Sequence, residues 1–541
     1  MYGRHLSCSA GLALACLATG LAAQSPLHAI AIVNDARSHG VVGDNWLSMN
    51  EAIQLNNQTL TIAQLSAAEQ TQVLGFGDIA FVEIDTSAVP ILTFERDLDV
   101  ILDTYHGLLI GATYGVPEVR IGNTRGFVST SNFSDFRRMR IKGGKNAITV
   151  LQTNTNYGSL LENLVFEGQT ESAIKFVFPT DTGNSRLQIQ LCEFIDIPYA
   201  VLVEDSGRNR TGDFFFSDNT VRGGLVGLGM TLGSGGTGRV LVERSRFLGT
   251  QVAVTFQRPN PGDDRALLLE GRLLSVSGGQ VGFEFAGHAN RSSEVILQML
   301  DLSAARTSLQ LGPLGATHKV TVQDSRLSGT VRVEGGSTGY LVLDNTRLAS
   351  GTTLGLGATG APVTITDSIL RGCTVTTAGT SPVTIGASRL EGGSVTGTAG
   401  APVSVTGCFV NGTTLGAHTT TGGLLPAAQL GSMEVTPLDP QAGTSVQLQP
   451  DLPPGLAGVW FLGQTAYLPT MGPPPIRLYF DLFAFVGLPG VARLQTPTVL
   501  RIPNTPAVVG SDLIVQLVVV PDPGIQAPWL SIPPGRRFVV R

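Results

Sequence analysis

The sequence predicts an all-β protein in which a parallel β-helix is followed by a small C-terminal β-sandwich. Short runs rich in Val, Thr and Ile alternate with glycine-rich turns, as β-strands and their connections do. Nearly the same eight residues recur every twenty positions, as APVTITDS from Ala361, SPVTIGAS from Ser381 and APVSVTGC from Ala401. No helical period interrupts these runs, which argues against βαβ units and leucine-rich repeats.

Composition and charge exclude several classes of protein. The chain has 541 residues, of which 42% are hydrophobic and 14% are charged. This composition is too apolar for a disordered chain. The formal net charge of −6 argues against a nucleic-acid-binding protein.

The N-terminus has the pattern of a secretory signal. A weakly basic start at Arg4 and His5 precedes the apolar run GLALACLATGLA and small residues before Gln24, which predicts a signal peptide over residues 1–23. The alternative is a short buried helix. The run is too short to span a bilayer, and no later segment qualifies. We therefore expect a secreted or cell-surface protein without a transmembrane segment.

The cysteines beyond this segment predict neither a disulfide framework nor a metal site. Cys192, Cys373 and Cys408 are odd in number and far apart, which matches neither pattern. We expect them to be small buried residues.

The twenty-residue repeat extends upstream through an apolar marker residue that follows a small polar pair. The markers are Phe166, Phe194, Val221, Phe247, Leu327, Leu348, Leu370, Leu390 and Val410, with Leu274 and Leu302 fitting less clearly between them. Two positions earlier stand small, often hydroxyl-bearing residues: Cys192, Asn219, Ser245, Ser325, Thr346, Ser368, Ser388 and Cys408. Two positions later stand Gly168, Gly223, Gly249, Gly329, Gly372, Gly392 and Gly412, where glycine permits a turn with positive φ.

This pattern resembles the secreted right-handed parallel β-helix proteins that share a fold with the pectate lyases. The resemblance covers about residues 95–425 and rests on the repeat rather than on a diagnostic motif. It implies a right-handed parallel β-helix over residues 95–425.

A second resemblance precedes the repeat. The stretch GDNWLSMNEAIQLNNQ, from residue 43 to residue 58, is similar to the SLREAI…AN segment that opens many bacterial β-helix surface proteins. The matching residues, in order, are Ser48, Glu51, Ala52, Ile53 and Asn56, whereas Met49 and Asn50 replace the usual Leu-Arg. The resemblance implies a short amphipathic helix in an N-terminal cap over residues 24–94, which would cover the open strand edge of the first coil.

The repeat stops near Leu425, and proline-rich turns then alternate with hydrophobic runs such as LIVQLVVV. This change predicts a separate β-sandwich over residues 426–541. The stretch from Ile502 to Pro523 resembles a C-terminal module of secreted planctomycete-type bacterial proteins.

Two sets of residues are candidates for function. The middle coils contain the acidic group Glu167, Glu193, Asp196, Asp213 and Asp218, together with Arg222. Enzymes of the resembling fold cleave polysaccharide with paired carboxylates, or with Ca²⁺ held by several carboxylates and a base. Glu167 and Glu193 differ by two columns in the alignment, so ordinary exposed acids are the alternative. Early on the rod, Asp103 and His106 form an acid–base pair or a surface turn.

The second set lies immediately before the marker and consists of Arg246, Arg326, Arg347 and Arg389. If the coils stack in register, these arginines line one face, and guanidinium groups suit carboxylates and sulfates. The alternative is a solvated face that blocks aggregation.

The sequence therefore predicts a secreted or cell-surface structural or glycan-binding protein without an identifiable active site. The alternative is a polysaccharide lyase or glycoside hydrolase that acts on acidic polysaccharide from the middle coils. The expected partner is a polysaccharide or cell-envelope glycan. No cofactor is expected, except Ca²⁺ if the protein is a lyase.

Overall fold

The computed structural model describes residues 28–540 apart from the segments 78–79, 103–107, 131–132, 152–155, 179–181, 206–208, 232–236, 258–266, 287–292, 303–305, 313–317, 335–338, 359–361, 379–381, 399, 401–402, 422–431, 437–439, 453–455, 466–479, 494–496, 506–511 and 522–535. The proposed signal peptide over residues 1–23, and the pair Asp103 and His106, lie outside the described residues. No helix among the described residues is long and apolar enough to cross a membrane.

The N-terminal part contains all the described helices. An α-helix over Met49–Asn56 is followed by a 3₁₀ turn over Ile62–Gln64 and a short helix over Ala67–Gln70. The first helix lies within the stretch that resembles SLREAI. It begins with a capping box, in which Ser48 N–H donates to Glu51 Oε2 at 2.8 Å and Glu51 N–H donates to Ser48 Oγ at 3.3 Å.

Three ladders of parallel strands form the rod. The first ladder joins His28–Val33, Ala80–Ile84, Leu108–Gly111, Ser134–Gly143, Asn156–Glu167, Thr182–Gln190, Asn209–Ser217, Thr237–Glu243, Leu267–Arg272, Ser293–Gln298, His318–Gln323, Tyr340–Asp344, Val363–Thr366, Val383–Gly386, Val403–Thr406 and His418–Thr421. Its first strand also pairs antiparallel with Val73–Gly77. The ladder thus begins inside the segment expected to form a cap.

The second ladder joins Ile91–Phe94, Glu118–Ile121, the later parts of Ser134–Gly143 and Asn156–Glu167, then Glu193–Ile195, Thr220–Arg222, Arg246–Leu248, Ser275–Ser277, Asp301–Leu302, Arg326–Leu327, Arg347–Leu348, Ile369–Ala378, Arg389–Thr396 and Phe409–Asn411. The third ladder joins Phe127–Ser129, Asn146–Leu151, Ser172–Phe178, Tyr199–Asp205, Val226–Thr231, Val252–Gln257, Val281–Ala286, Thr307–Leu311, Thr330–Val333, Thr353–Ala358, the later parts of Ile369–Ala378 and Arg389–Thr396, and Thr414–Leu415. From Leu108–Gly111 to Thr414–Leu415, each coil thus contributes a strand or part of a strand to each ladder, and the predicted parallel β-helix is confirmed.

The marker residues align in the second ladder as predicted, with one correction. Phe166 pairs with Phe194, and the series continues through Val221 to Phe247. Phe247 then pairs with Val276 and not with Leu274. Leu274 is a buried apolar residue at the position where other coils place a small hydroxyl side chain, so the expected polar-then-apolar pattern is absent from that coil.

Aromatic side chains stack along the interior. The rings of Phe166 and Phe194 lie 5.1 Å apart and nearly parallel. The centroid of Phe216 is 6.2 Å from that of Phe194 and 6.2 Å from that of Phe247. These residues are fully buried, so successive coils share one continuous apolar core.

Left-handed backbone conformations turn the chain at two corners of each coil. The residue three positions before the marker has positive φ in the coils that place Asn163, Leu191, Asp218, Arg244, Leu273, Met299, Asp324, Asn345, Asp367 and Ala387 there. The predicted glycines two positions after the marker also have positive φ, at Gly168, Gly223, Gly249, Gly329, Gly372, Gly392 and Gly412. In the Phe194 coil, Asp196 takes this corner with φ 51°.

Small polar residues form a buried hydrogen-bonded column beside the marker. The backbone N–H of Thr346 donates to Ser368 Oγ at 3.0 Å, and the N–H of Ser368 donates to Ser388 Oγ at 3.1 Å. Cys192, Cys373 and Cys408 are free and buried, as predicted. Burial raises the pKa of the Cys192 and Cys373 thiols to about 12, so neither has the lowered pKa of a reactive thiol.

The C-terminal part contains two small antiparallel sheets. One joins Ser432–Thr436, Ser445–Asp451 and Thr498–Arg501. The other joins Phe480–Arg493, Leu456–Thr465, Asp512–Pro521 and Arg536–Val539. Buried side chains from both sheets, including Val446 and Trp460, form one apolar cluster.

An ion-pair network links the rod to one of these sheets. Arg371 of the second ladder donates from Nη2 to Asp451 Oδ2 at 2.5 Å, and its Nη2 lies 2.8 Å from Glu391 Oε2. Burial lowers the pKa of Arg371, but the two carboxylates outweigh burial, and the net shift is upward.

Candidate functional site

The predicted acidic candidates are distributed among ion pairs between coils. Glu167 Oε2 lies 3.0 Å from Arg140 Nη1 and 3.4 Å from Lys142 Nζ. Glu193 Oε1 accepts from Arg222 Nε at 2.7 Å. These contacts place each carboxylate beside a basic side chain of a neighbouring coil.

The remaining acidic candidates have separate positions. Asp218 accepts two hydrogen bonds of 2.8 Å from Arg244. Asp196 occupies a corner with its backbone N–H bonded to Arg222 O, and Asp213 lies on the first ladder. Among the described residues, no group of three or more His, Cys, Asp or Glu side chains is placed to hold a metal ion.

The arginine column is in register but interrupted. Arg246 is followed in the ladder by Ser275, Asp301, Arg326, Arg347, Ile369 and Arg389. Only Arg326 and Arg347 are therefore adjacent. Arg389 is buried and donates from Nε to Glu391 Oε1 at 2.6 Å. The four arginines do not form a continuous row of cations.

A different surface brings chemically varied side chains together on four successive coils of the first ladder. We call it the first-ladder patch. Its residues alternate with buried ones, and the ladder register sets them side by side. They are Phe133, Asp135 and Arg137; Gly158, Leu160 and Glu162; Arg186, Gln188 and Gln190; and Asp213 and Phe215.

One edge of the first-ladder patch is a string of polar contacts. Arg137 Nη2 lies 3.3 Å from Asp135 Oδ2, and its Nε lies 3.7 Å from Glu162 Oε2. Gln190 Nε2 donates to Glu162 Oε1 at 2.7 Å, and Gln188 Nε2 donates to Gln190 Oε1 at 2.5 Å. These side chains hold one another in fixed orientations across three coils.

Asp135 is the unusual carboxyl group of the string. Burial raises the pKa of Asp135 above its ordinary value, against the effects of a 2.9 Å hydrogen bond from Leu160 N–H and of nearby Arg137. The charge of Glu162 raises it further. The side chain of Asp135 is still 31% exposed, so a ligand in solution can reach it.

Aromatic rings lie at two corners of the first-ladder patch. Phe133 is 48% exposed, and its ring lies against Gly158, where a Cβ would come within 2.8 Å of the ring. At the other corner, the Arg186 guanidinium lies 5.6 Å from the centroid of the Phe215 ring, within cation–π distance.

Apart from Asp213, our sequence interpretation missed this surface because it aligned the coils on the second ladder. The signal is present one strand earlier. Asp135, Leu160, Gln188 and Phe215 recur at steps of 25, 28 and 27 residues within alternating strands.

Comparison with known proteins gives little guidance. No family model matches the chain, and no curated protein matches it. One solved structure that matches is a tailspike protein gp49 from Acinetobacter baumannii bacteriophage Fri1, described as a capsular polysaccharide depolymerase. It is 9% identical, with 79% of each chain covered and a TM-score of 0.27. At these values the similarity supports no argument about the site.

Proposed function

We propose that the protein is a secreted or cell-surface protein that binds polysaccharide along the first-ladder patch. The observation that supports this most directly is the combination of the exposed Phe133 ring, the partly buried Phe215 ring and ordered amide, guanidinium and carboxylate groups on one surface. A sugar ring has apolar C–H faces and a hydroxyl rim, which require these two kinds of partner.

The shape of the surface fits an extended ligand. Adjacent coils lie about 4.8 Å apart, so four coils extend over roughly 14 Å. The polar string and the aromatic corners run along this direction. A chain of sugars lying parallel to the rod axis would contact each coil in turn.

The charge of the surface distinguishes between classes of polysaccharide. The first-ladder patch contains the cations Arg137 and Arg186 and the carboxyl groups Asp135, Glu162 and Asp213. It has no excess of positive charge, which favours an uncharged glycan. The arginine column remains the alternative site for an acidic one.

The test is titration calorimetry with a panel of neutral and acidic polysaccharides. We expect Phe215→Ala and Gln190→Ala each to weaken binding of one neutral polysaccharide about tenfold, equivalent to about 1.4 kcal/mol. The double change Arg326→Ser and Arg347→Ser is the control and should leave that affinity unchanged. If the double arginine variant loses affinity and the other two variants do not, the binding site is the arginine column. If the parent protein binds none of the polysaccharides, the proposal is contradicted.

Glycoside hydrolysis is the second candidate function, favoured by the environment of Asp135. A carboxyl group whose pKa is raised beside a second carboxylate is the arrangement of an acid and a base in these enzymes. Here Glu162 would be the partner. New reducing ends released by the parent protein, and lost in both Asp135→Asn and Glu162→Gln, would support hydrolysis. Binding without release would exclude it for that polysaccharide.

A further inference from the structure

The loop before the first helix displays large apolar side chains to solvent. Within the loop from residue 40 to residue 46, Val41, Val42 and Trp46 are 68%, 44% and 51% exposed. Clustered exposed apolar side chains on a soluble protein mark an interaction site. The second half of this loop, from residue 43, belongs to the stretch that resembles SLREAI, but that resemblance gives Trp46 no role, and Val41 and Val42 precede it.

The conformation of this loop is fixed from within by two carboxylates. Glu69 is fully buried and accepts from Gly43 N–H at 2.9 and 3.0 Å and from Asn45 N–H at 3.2 Å. Asp44 accepts from Trp46 N–H at 3.0 Å and from Val41 N–H at 3.3 Å. Gly43 and Asn45 both have positive φ. The exposed side chains are therefore held on an ordered backbone, which reduces the entropy cost of binding a ligand.

Charged hydrogen-bonding groups stand on the same loop and at its base. Arg37 donates from Nη2 to Asp44 Oδ2 at 2.8 Å and to Asp35 Oδ2 at 2.9 Å. The Arg37 and Asp44 side chains are 46% and 22% exposed. Because Asp44 also accepts from Trp46 N–H, this donor and this acceptor lie close to the Trp46 backbone.

The size and charge of the loop exclude several occupants. A stable protein interface buries about 800 Å² on each partner and uses about 20–30 residues, whereas this loop offers three apolar side chains. The acidic groups Asp35, Asp44 and Glu69 outnumber Arg37, which opposes an anionic lipid surface or an anionic ligand. A small neutral ligand with one apolar face remains.

We propose that the loop 40–46 is a binding site for a single ring of a neutral sugar, separate from the first-ladder patch. The apolar face of the ring packs on the Trp46 indole, and its hydroxyl groups bond to Arg37 and Asp44. The site does not depend on the polysaccharide function proposed above.

The experiment measures binding of neutral hexasaccharides of glucose, mannose and xylose to the full chain by saturation-transfer NMR and calorimetry. All variants are made in a Phe215→Ala background, so that the first-ladder patch contributes little. We expect Trp46→Ala to weaken binding of one of these sugars at least tenfold, and Trp46→Phe to restore most of it. Tyr114→Ala is the matched control, because Tyr114 is an 81% exposed aromatic residue outside this loop, and it should have no effect.

A further variant tests the preorganised backbone. Glu69→Gln keeps every exposed side chain but weakens the bonds to Gly43 and Asn45, so we expect several-fold weaker binding. The Trp46→Phe result decides the proposal if Glu69→Gln does not fold.

Three outcomes would overturn the sugar site. The first is equal sugar binding by Trp46→Ala and Tyr114→Ala. The second is that the protein self-associates and Trp46→Ala abolishes the self-association. The third is that the protein binds lipid vesicles and Trp46→Ala abolishes that binding. If Phe215→Ala alone abolishes all sugar binding, a change at Trp46 can have no further effect. That result would also overturn the sugar site, and it would support the first-ladder patch. If Phe215→Ala and Gln190→Ala do not weaken polysaccharide binding but Trp46→Ala still weakens sugar binding, the result contradicts the first-ladder patch and supports the sugar site.

Discussion

Burial and backbone angle both affect single residues of this protein. Asp135 shows the effect of burial most clearly, because its pKa is raised in the folded state although Arg137 lies nearby. A raised carboxyl pKa means that folding disfavours the ionised form.

We therefore predict that the free energy of unfolding of Asp135→Asn, relative to that of the parent protein, increases as the pH rises. Folding opposes ionisation of Asp135, so the parent loses stability from the ordinary pKa near 3.9 up to the raised folded pKa. Asn keeps an acceptor for Leu160 N–H but does not ionise. Urea unfolding at pH 3 and pH 7 measures the difference. If the parent instead becomes more stable relative to Asp135→Asn between pH 3 and pH 7, the raised pKa of Asp135 is contradicted.

Backbone angle matters most where a turn touches the neighbouring coil. Gly279 and Gly249 both have positive φ, but a Cβ on Gly279 would lie 2.0 Å from Thr250 O, whereas a Cβ on Gly249 meets nothing within 4 Å. We predict that Gly279→Ala destabilises the protein more than Gly249→Ala. In both variants an alanine must adopt a positive φ, which costs about 1 kcal/mol, but only Gly279→Ala also places a Cβ against the backbone of the neighbouring coil. Chemical denaturation of both variants checks this, and equal losses would refute it.

At the scale of elements, the ladder register decides which residues are neighbours. The marker column was predictable because its residues are buried, apolar and regularly spaced, as Phe166 and Phe194 are. The first-ladder patch was not predicted as a site, because its half-buried residues such as Asp135 and Gln188 follow no common chemistry from coil to coil. Even buried residues could mislead the prediction. Leu274 is a large apolar residue at a position where other coils have a small one, so the repeat pattern predicted it as the marker in place of Val276.

The buried hydroxyl column gives a prediction at this scale. Ser368 accepts from Thr346 N–H and donates to Thr366 O at 2.7 Å, so Ser368→Ala leaves the buried Thr346 N–H without this acceptor. We expect a loss of about 1–3 kcal/mol in the free energy of unfolding. Thr384→Ala is the control, because Thr384 is exposed on the outer face of a nearby strand. Similar losses for the two variants would show that the column contributes little.

At the scale of the whole molecule, the described structure joins a rod of shared core to a pair of small sheets with their own apolar cluster. The predicted β character of both regions is confirmed. The contact between them was not predictable, because Arg371 and Asp451 lie 80 residues apart and no repeat relates them.

We predict that Arg371→Gln and Asp451→Asn each weaken the coupling between the two regions. A charge-assisted hydrogen bond contributes about 1.5–3 kcal/mol, so loss of either partner should separate their thermal transitions in calorimetry. The double variant should add little to either single change. Arg120→Gln is the control, since Arg120 pairs within its own strand with Glu118. Unchanged transitions in Arg371→Gln would show that the regions are coupled elsewhere.

The in-register stacking of the coils has a consequence for how such a chain changes length. Because the ladders bond each coil to the coils directly before and after it, copying or deleting one coil that makes no other contact adds or removes a spacer and leaves the contacts within every other coil intact. The coil that begins at Tyr340–Asp344 is such a spacer, since it holds none of the patch residues and precedes Arg371, which makes the contact to Asp451. Gene slippage in this stretch can therefore reset the distance between the first-ladder patch and the C-terminal sheets in steps of one coil, while the chemistry at both ends stays the same.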